Sequence, residues 1–199
     1  MNHLRYALRT LGRNPAFTVP ALLALALGIG ATTAIFSVVY AVLLRPLPYP
    51  EADRLISVST ILGGDRVETL VSTEYWSWSR DNRVLENLAA FNAGGGSASL
   101  IGADGPVRIT VSKVTVNLLA TLRVATALGR DFLAEEGRPG SANVAILSHG
   151  LWQSRFAGDP GAVGKSVNID GTVHQVIGVL PKTFLYLPNR SAVGALIPQ

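Results

Sequence analysis

The sequence predicts an α+β protein: one N-terminal transmembrane helix followed by a mixed α+β domain on the far side of the membrane. Three observations carry this expectation. No charged residue occurs between Arg13 and Arg45. A proline-punctuated stretch, LLRPLPYP, closes that apolar run. Beyond it, strand-like and helix-like segments follow one another without regular alternation, which is the pattern of an α+β domain rather than of a parallel α/β sheet.

The apolar run comes first. Phe17 to Leu44 is 28 residues without a charge. As a helix this is about 42 Å long, against a hydrocarbon core of about 30 Å, so it spans with tilt or continues past the membrane surface. Two alternatives stand beside a span. A buried core helix is one, but soluble helices seldom exceed about 20 residues and carry a polar face. A cleaved signal peptide is the other, with Ala24-Leu25-Ala26 as a small-x-small cleavage site. Eighteen uncharged, mostly apolar residues follow that site, whereas a signal h-region spans only about 7–15 residues. Asn14 suits an N-cap and Pro15 the first helical position, so the span is placed at 14–45. Pro20 can kink it one turn further in. Ala24, Gly28 and Thr32 form one stripe of small residues, and Ala26, Gly30 and Ala34 form a second. Such stripes let helix backbones approach closely in lipid, so these six residues are the candidate helix-packing positions.

Charge gives the orientation. The net charge of +4 is local: Arg5, Arg9 and Arg13 precede the span, while 14 Lys/Arg face 13 Asp/Glu from Arg45 onward. This is a membrane flank and not a nucleic-acid surface, and no nucleic-acid partner is expected. The positive-inside rule puts the N-terminus in the cytoplasm and everything after about residue 45 outside. Leu4, Leu8 and Leu11 share a helical face beside Arg5 and Arg9, and Gly12 can end the turn, so residues 1–13 read as an amphipathic helix on inner-leaflet lipid. There are no cysteines, which excludes disulfides and thiolate metal sites.

Residues 46–53 form a stiff connector, because Pro46, Pro48 and Pro50 stop a helix. Residues 54–199 are long enough for their own core. RLISVSTIL reads as a strand turned by Gly63-Gly64-Asp65. Ser72 or Thr73 starts a helix to Asp81, and VLENLAAF continues helically to about Ala90. SASLIG and PVRITVSKV make a hairpin through Ala103-Asp104-Gly105. TVNLLATL is a short helix. NVAILS is a strand, and HGLWQSRF is a helix capped by Ser148, with Trp152 and Phe156 as core anchors. KSVNIDGTVHQVIGVLP is a second hairpin, with Asp170-Gly171 as its turn.

Catalytic chemistry is not legible. Gly28-Ile29-Gly30 lies in the span and lacks the strand-turn-helix setting of a dinucleotide site, and no GxxxxGK[ST] occurs. Ser148-His149-Gly150 is not a nucleophile elbow. His3, His149 and His174 are scattered, with His174 read as a surface or half-buried strand residue. Of Trp76 and Trp78, one is expected in the core and one exposed. No catalytic, cofactor-binding or metal-ligating residue is assigned, and an enzyme is not expected.

MNHLRYALRTLGRNPAFTVPALLALALGIGATTAIFSVVYAVLLRPLPYPEADRLISV resembles the N-terminus of MacB/FtsX-type ABC transporter permeases, above all the duplicated-permease branch, through LALGIGATTAIFS and LLRPLPY. A second block, LGRDF and then VAILSHGLWQSRFAGDPGAVGKSVNIDGTVHQVIGVLP, is similar to that family's periplasmic core domain, with its porter and sabre parts. The resemblance covers nearly the whole chain. It implies a permease of the bacterial inner membrane that carries no cofactor itself. ATP would be bound by a separate ABC ATPase subunit, and the stroke would pass through the first span to the outer domain. Further implied partners are other permease spans or a second permease copy, and a periplasmic adaptor or an export substrate. The chain stops at LIPQ without the three further spans of that family, so a fragment with an outer domain incomplete at its C-terminus is expected. The rival readings are a single-span anchored periplasmic binding module without transport, and a secreted enzyme released at Ala26.

Overall fold

The computed structural model describes residues 15–40, 49–58, 60–62, 65–67, 72–92, 95–102, 105–185 and 193–199. The helix expected over 1–13, Asn14, Pro46, Pro48 and the turn residues Gly63, Gly64, Ala103 and Asp104 lie outside them. The chain divides into two compact units, residues 1–47 and 48–199.

In the first unit, helix α1 (Pro15–Val39) is continuous through Pro20. Its 25 residues give about 37 Å of length. The helix is long and apolar enough to cross a membrane. None of its residues is buried, so α1 is not a core helix of its own chain. Leu22, Leu25, Leu27, Ile29, Ile35 and Phe36 are all exposed, and they are spread around the whole circumference. The hydroxyls of Thr32, Thr33 and Ser37 donate to the carbonyls of Gly28, Ile29 and Thr33 at 2.8 Å each. These polar atoms are therefore satisfied inside the helix and need no water.

In the second unit, β1 (Thr60–Leu62) and β2 (Asp65–Val67) form a small antiparallel pair. Only the end of the strand expected over RLISVSTIL is realised. Ala52–Arg54 is instead a turn of 3-10 helix, and the residues after it have no ladder partner among the described residues. Helix α2 (Ser72–Asp81) ends where expected, but VLENLAAF is not helical. Asn82 Oδ1 accepts from the Val84 and Leu85 N–H groups at 3.0 and 2.8 Å. This local side-chain turn outcompetes another helical turn. The segment then lies extended, with Phe91 bridging Val114.

The main sheet comprises β3 (Gly96–Gly102), β4 (Gly105–Val114), β5 (Leu128–Gly129), β6 (Val144–Leu147), β7 (Ser166–Ile169), β8 (Thr172–Val179) and β9 (Ala195–Pro198). Its order is β5-β8-β6-β9-β4-β3-β7, and β7 also pairs with β8. Six of the strands thus close a circuit, which leaves few free edges. Parallel pairs β4–β9 and β6–β8 sit among antiparallel ones, so the unit is mixed α+β. Every residue of β6, VAIL, is buried, as a continuous apolar strand covered on both faces should be. One face packs Leu100, Ile109, Val111, Leu147, Val167, Ile169 and Val176 into a core with Leu151. Leu151 comes from α4 (His149–Phe156), whose cap Ser148 accepts from the Leu151 N–H at 3.2 Å. A short helix, α3 (Leu118–Thr121), buries Leu118 and Leu119.

The tightest approach in the unit is between β5 and β8. Gly129 pairs with Gly178, and β8 bulges there, because Ala145 faces Val176 while Ile146 faces Gly178. Gly129 has φ +75°, and a Cβ on it would stand 2.2 Å from the Ile177 carbonyl oxygen. Both the left-handed backbone and the missing side chain are required. Gly171 also has a positive φ, +83°, but open space around it. Gly129→Ala should therefore destabilise the outer unit by about 3 kcal/mol, and Gly171→Ala by only about 1–2 kcal/mol. Denaturant unfolding followed by tryptophan fluorescence checks the order.

Candidate functional site: an entry clamp and a paired signature

The residues singled out in the sequence fall at three places. Ala24, Gly28, Thr32, Ala26, Gly30 and Ala34 all lie on α1 and are exposed. At 100° per residue, the two stripes are offset by about 200° and so mark nearly opposite sides of the helix. Nothing stands within 4 Å of a Cβ placed on Gly28 or Gly30. In α4, Phe156 packs partly buried against the core. Trp152 is only half-buried, its Nε1–H donating to the Asp159 carbonyl at 2.9 Å. The buried anchor of α4 is Leu151, which faces the sheet where Trp152 does not. Asp170 and Gly171 occupy the two turn positions between β7 and β8 with φ 49° and 83°. The Asp170 carboxylate also accepts from the Ser99 N–H at 2.6 Å, tying the turn to β3.

Sequence reasoning missed the clamp that holds the first described residues of the connector. Tyr49 is buried, its hydroxyl donates to the Leu185 carbonyl, and its ring lies 6.2 Å from that of Phe184. Burial pushes the Tyr49 hydroxyl up to about 12, so it keeps its proton, and its hydrogen bond, across the physiological range. Two residues on, Glu51 bonds Arg54 at 2.8 Å and pairs with Arg123. Arg54 and Arg123 also reach Glu86, at 3.1 and 3.4 Å. Two carboxylates and two guanidinium groups thus close a ring that joins three separate parts of the chain. Glu51 and Arg123 both sit in the left-handed region, at φ 55° and 53°, which disfavours residues with a Cβ. No local sequence signal marks this ring, because its members lie up to 72 residues apart.

A second constellation surrounds β5. Glu136 is buried and receives Arg130 in a forked pair at 3.0 and 2.6 Å, together with the Leu133 N–H at 2.7 Å. The Arg130 hydrogen bonds hold the Glu136 carboxyl below its usual range. Burial pushes the neighbouring Asp131 carboxyl up. Among the described residues, no group of three or more His, Asp or Glu could hold a metal ion. His174 is buried, not half-exposed as its strand position implied. Alternation along β8 turns it inward while Val173 and Gln175 face out.

The model of the MacB-like periplasmic core domain matches residues 18–198. The chain belongs to the MacB-like periplasmic core domain family. Among solved structures, this MacB-like chain is similar to the periplasmic region of MacB from Actinobacillus actinomycetemcomitans, at 14% identity and a TM-score of 0.54, over 65% of this chain and 55% of that one. A second similar structure is the extracellular domain of the noncanonic ABC-type transporter YknZ from Gram-positive bacteria. There the identity is 19% and the TM-score 0.42, over 52% of this chain and 50% of that one. The chain therefore spans about half the length of each of these structures. Comparison with curated proteins returns no match.

In this MacB-like domain the two quoted signature segments, LGRDF and VIGV, are neighbours in space. Leu128 faces Val179, Gly129 faces Gly178, and the Arg130 N–H donates to the Ile177 carbonyl at 2.9 Å. The glycines allow the contact, Arg130 locks Glu136, and Phe132 is buried.

The acid response follows from the two carboxyls. Glu136, with its lowered value, contributes stability that is complete above the ordinary glutamate range of about 4.3 and is lost as pH falls through its native value. Asp131, with its raised value, does the opposite: its contribution is complete below about 3.9 and is lost as pH rises through its native value. Glu136→Gln should cost on the order of 1–2 kcal/mol at pH 7, discounted because Arg130 is partly solvated. The variant should also flatten the loss of stability below about pH 4. Unfolding midpoints of both proteins across pH 3–7 check this.

Proposed function

We propose that this chain is the N-terminal part of a permease subunit of an ABC-type efflux or mechanotransmission system. Its outer domain is moved by ATP hydrolysis in a separate ABC ATPase subunit, which binds the nucleotide. Residues 14–45 cross the inner membrane with the N-terminus in the cytoplasm, residues 1–13 lie on inner-leaflet lipid, and residues 46–53 connect to a periplasmic domain. The observation that carries this reading is the entry clamp. A span that only tethered a domain would work through a loose linker. Here the described part of the connector, at Tyr49 and Glu51, and Arg54 just after it are tied to three other segments, a linkage suited to passing on displacement. Family membership and the fully exposed apolar helix support the same reading.

The two small-residue stripes give α1 two sides on which other permease spans, or a second permease copy, can pack. The outer domain would meet a periplasmic adaptor or an export substrate. Cargo chemistry is not written in any residue described above.

The test is co-purification of the full gene product with any P-loop ATPase found encoded beside it, reconstituted in nanodiscs. A Val173→Cys reporter should change its maleimide reactivity when ATP is added. Combining it with Glu51→Gln and Arg123→Ala should abolish that change while leaving ATP hydrolysis and folding nearly intact, since exposed ion pairs add little to stability. An unchanged ATP response would remove the clamp from the coupling path. Absence of any associated ATPase would favour the anchored binding module. Separately, Gly28→Leu or Gly30→Leu should weaken crosslinking between spans without altering the outer domain, because neither position has an internal neighbour to clash with.

A further inference from the structure

A cleft of about 420 Å³ opens between α2, the loop over 136–143, the start of β8 and the end of β9. It takes no part in the entry clamp. One wall is aromatic: Trp76 is 61% exposed yet held edge-on against the buried Tyr75 ring at 5.3 Å, whose hydroxyl bonds the Leu88 carbonyl at 3.3 Å. A large exposed indole braced in one orientation, with Pro139 and Pro198 also lining the cleft, is a surface for a flat apolar body. The sequence placed one tryptophan of the Trp76/Trp78 pair in the core. The structure exposes both and uses Tyr75 for the core instead.

The charged side chains of the lining have a sign. Arg138 lines the cleft and is exposed, and its guanidinium has no ion-pair partner among the described residues. The acidic residue in the lining, Glu136, is already neutralised by Arg130 and the Leu133 N–H. The cleft therefore presents one guanidinium with no side-chain carboxylate paired to it among the described residues. His174 is buried beneath it, with Nδ1 3.0 Å from the Thr172 carbonyl. That contact makes Nδ1 the donor and leaves Nε2 as an acceptor, with no partner for it among the described residues.

We propose that this cleft binds a small aromatic carboxylate, with its ring on Trp76, its carboxylate on Arg138 and an N–H or O–H donor for His174. Guanidinium–carboxylate pairing fixes the charge of the ligand, and the buried acceptor at His174 favours a donor-bearing ring. This site stands independently of any ATPase coupling.

The probe is indole-3-acetate, which carries all three features. Tryptamine has the same ring with the opposite charge, and 1-naphthaleneacetate lacks the N–H. Binding is read by ligand-observed NMR on the full chain in nanodiscs, against empty nanodiscs. Saturable binding of indole-3-acetate is expected, with tryptamine at least tenfold weaker and 1-naphthaleneacetate intermediate. Arg138→Gln should weaken binding about tenfold, Arg138→Lys less, and Trp76→Ser by a comparable factor. Both side chains are exposed, so these variants keep the fold. No saturable binding, equal binding of tryptamine, or unchanged affinity in both Arg138→Gln and Trp76→Ser would overturn the site.

Discussion

A helix of 25 residues that is apolar around its whole circumference, and buries none of that surface against its own chain, needs a surrounding that water does not provide. Lipid or other apolar helices satisfy it. The rest of the reading hangs on this constraint. In the proposed function it would place α1 in a bilayer and make its small-residue stripes contact faces. The three side-chain hydroxyls that bond back into the helix, at Thr32, Thr33 and Ser37, meet the same demand at the level of single atoms.

Within the outer unit the corresponding constraint is the contact between β5 and β8. Gly129 and Gly178 bring two backbones closer than any side chain permits, and the bulge in β8 turns the Ile177 carbonyl toward Arg130. Arg130 is then held near Glu136, which also receives the Leu133 N–H. One close approach thus organises the loop that forms a wall of the 420 Å³ cleft. The residues of the LGRDF and VIGV segments are engaged in strand pairing, packing and hydrogen bonding.

What was legible in the sequence is what local chemistry decides. The long apolar helix, the Ser148 cap, the Asp170-Gly171 turn and the strands of both hairpins depend on residues close together in the chain, and their period or turn signal is strong. The failures share the opposite property. VLENLAAF has helical composition, but Asn82 diverts its backbone and a distant strand takes the rest. RLISVSTIL has strand composition, yet its first half finds no partner strand among the described residues. Trp152 and one of the pair Trp76 and Trp78 are expected in the core, whereas burial goes to Leu151 and Tyr75. The entry clamp was invisible because Glu51, Glu86 and Arg123 come together only after folding, and two of them need left-handed backbone that no composition signals.

The central claim is that α1 stays in the bilayer and carries the following domain across it. The sequence contains no cysteine, so a single reporter is unambiguous. Val84 is 92% exposed, and Val84→Cys disturbs no packing. In intact cells expressing the full chain, a membrane-impermeant maleimide should label this residue without permeabilisation, on protein that remains in the membrane fraction with its N-terminus retained. Labelling that appears only after the inner membrane is breached, or a labelled product that is soluble and begins near Leu27, would contradict the account.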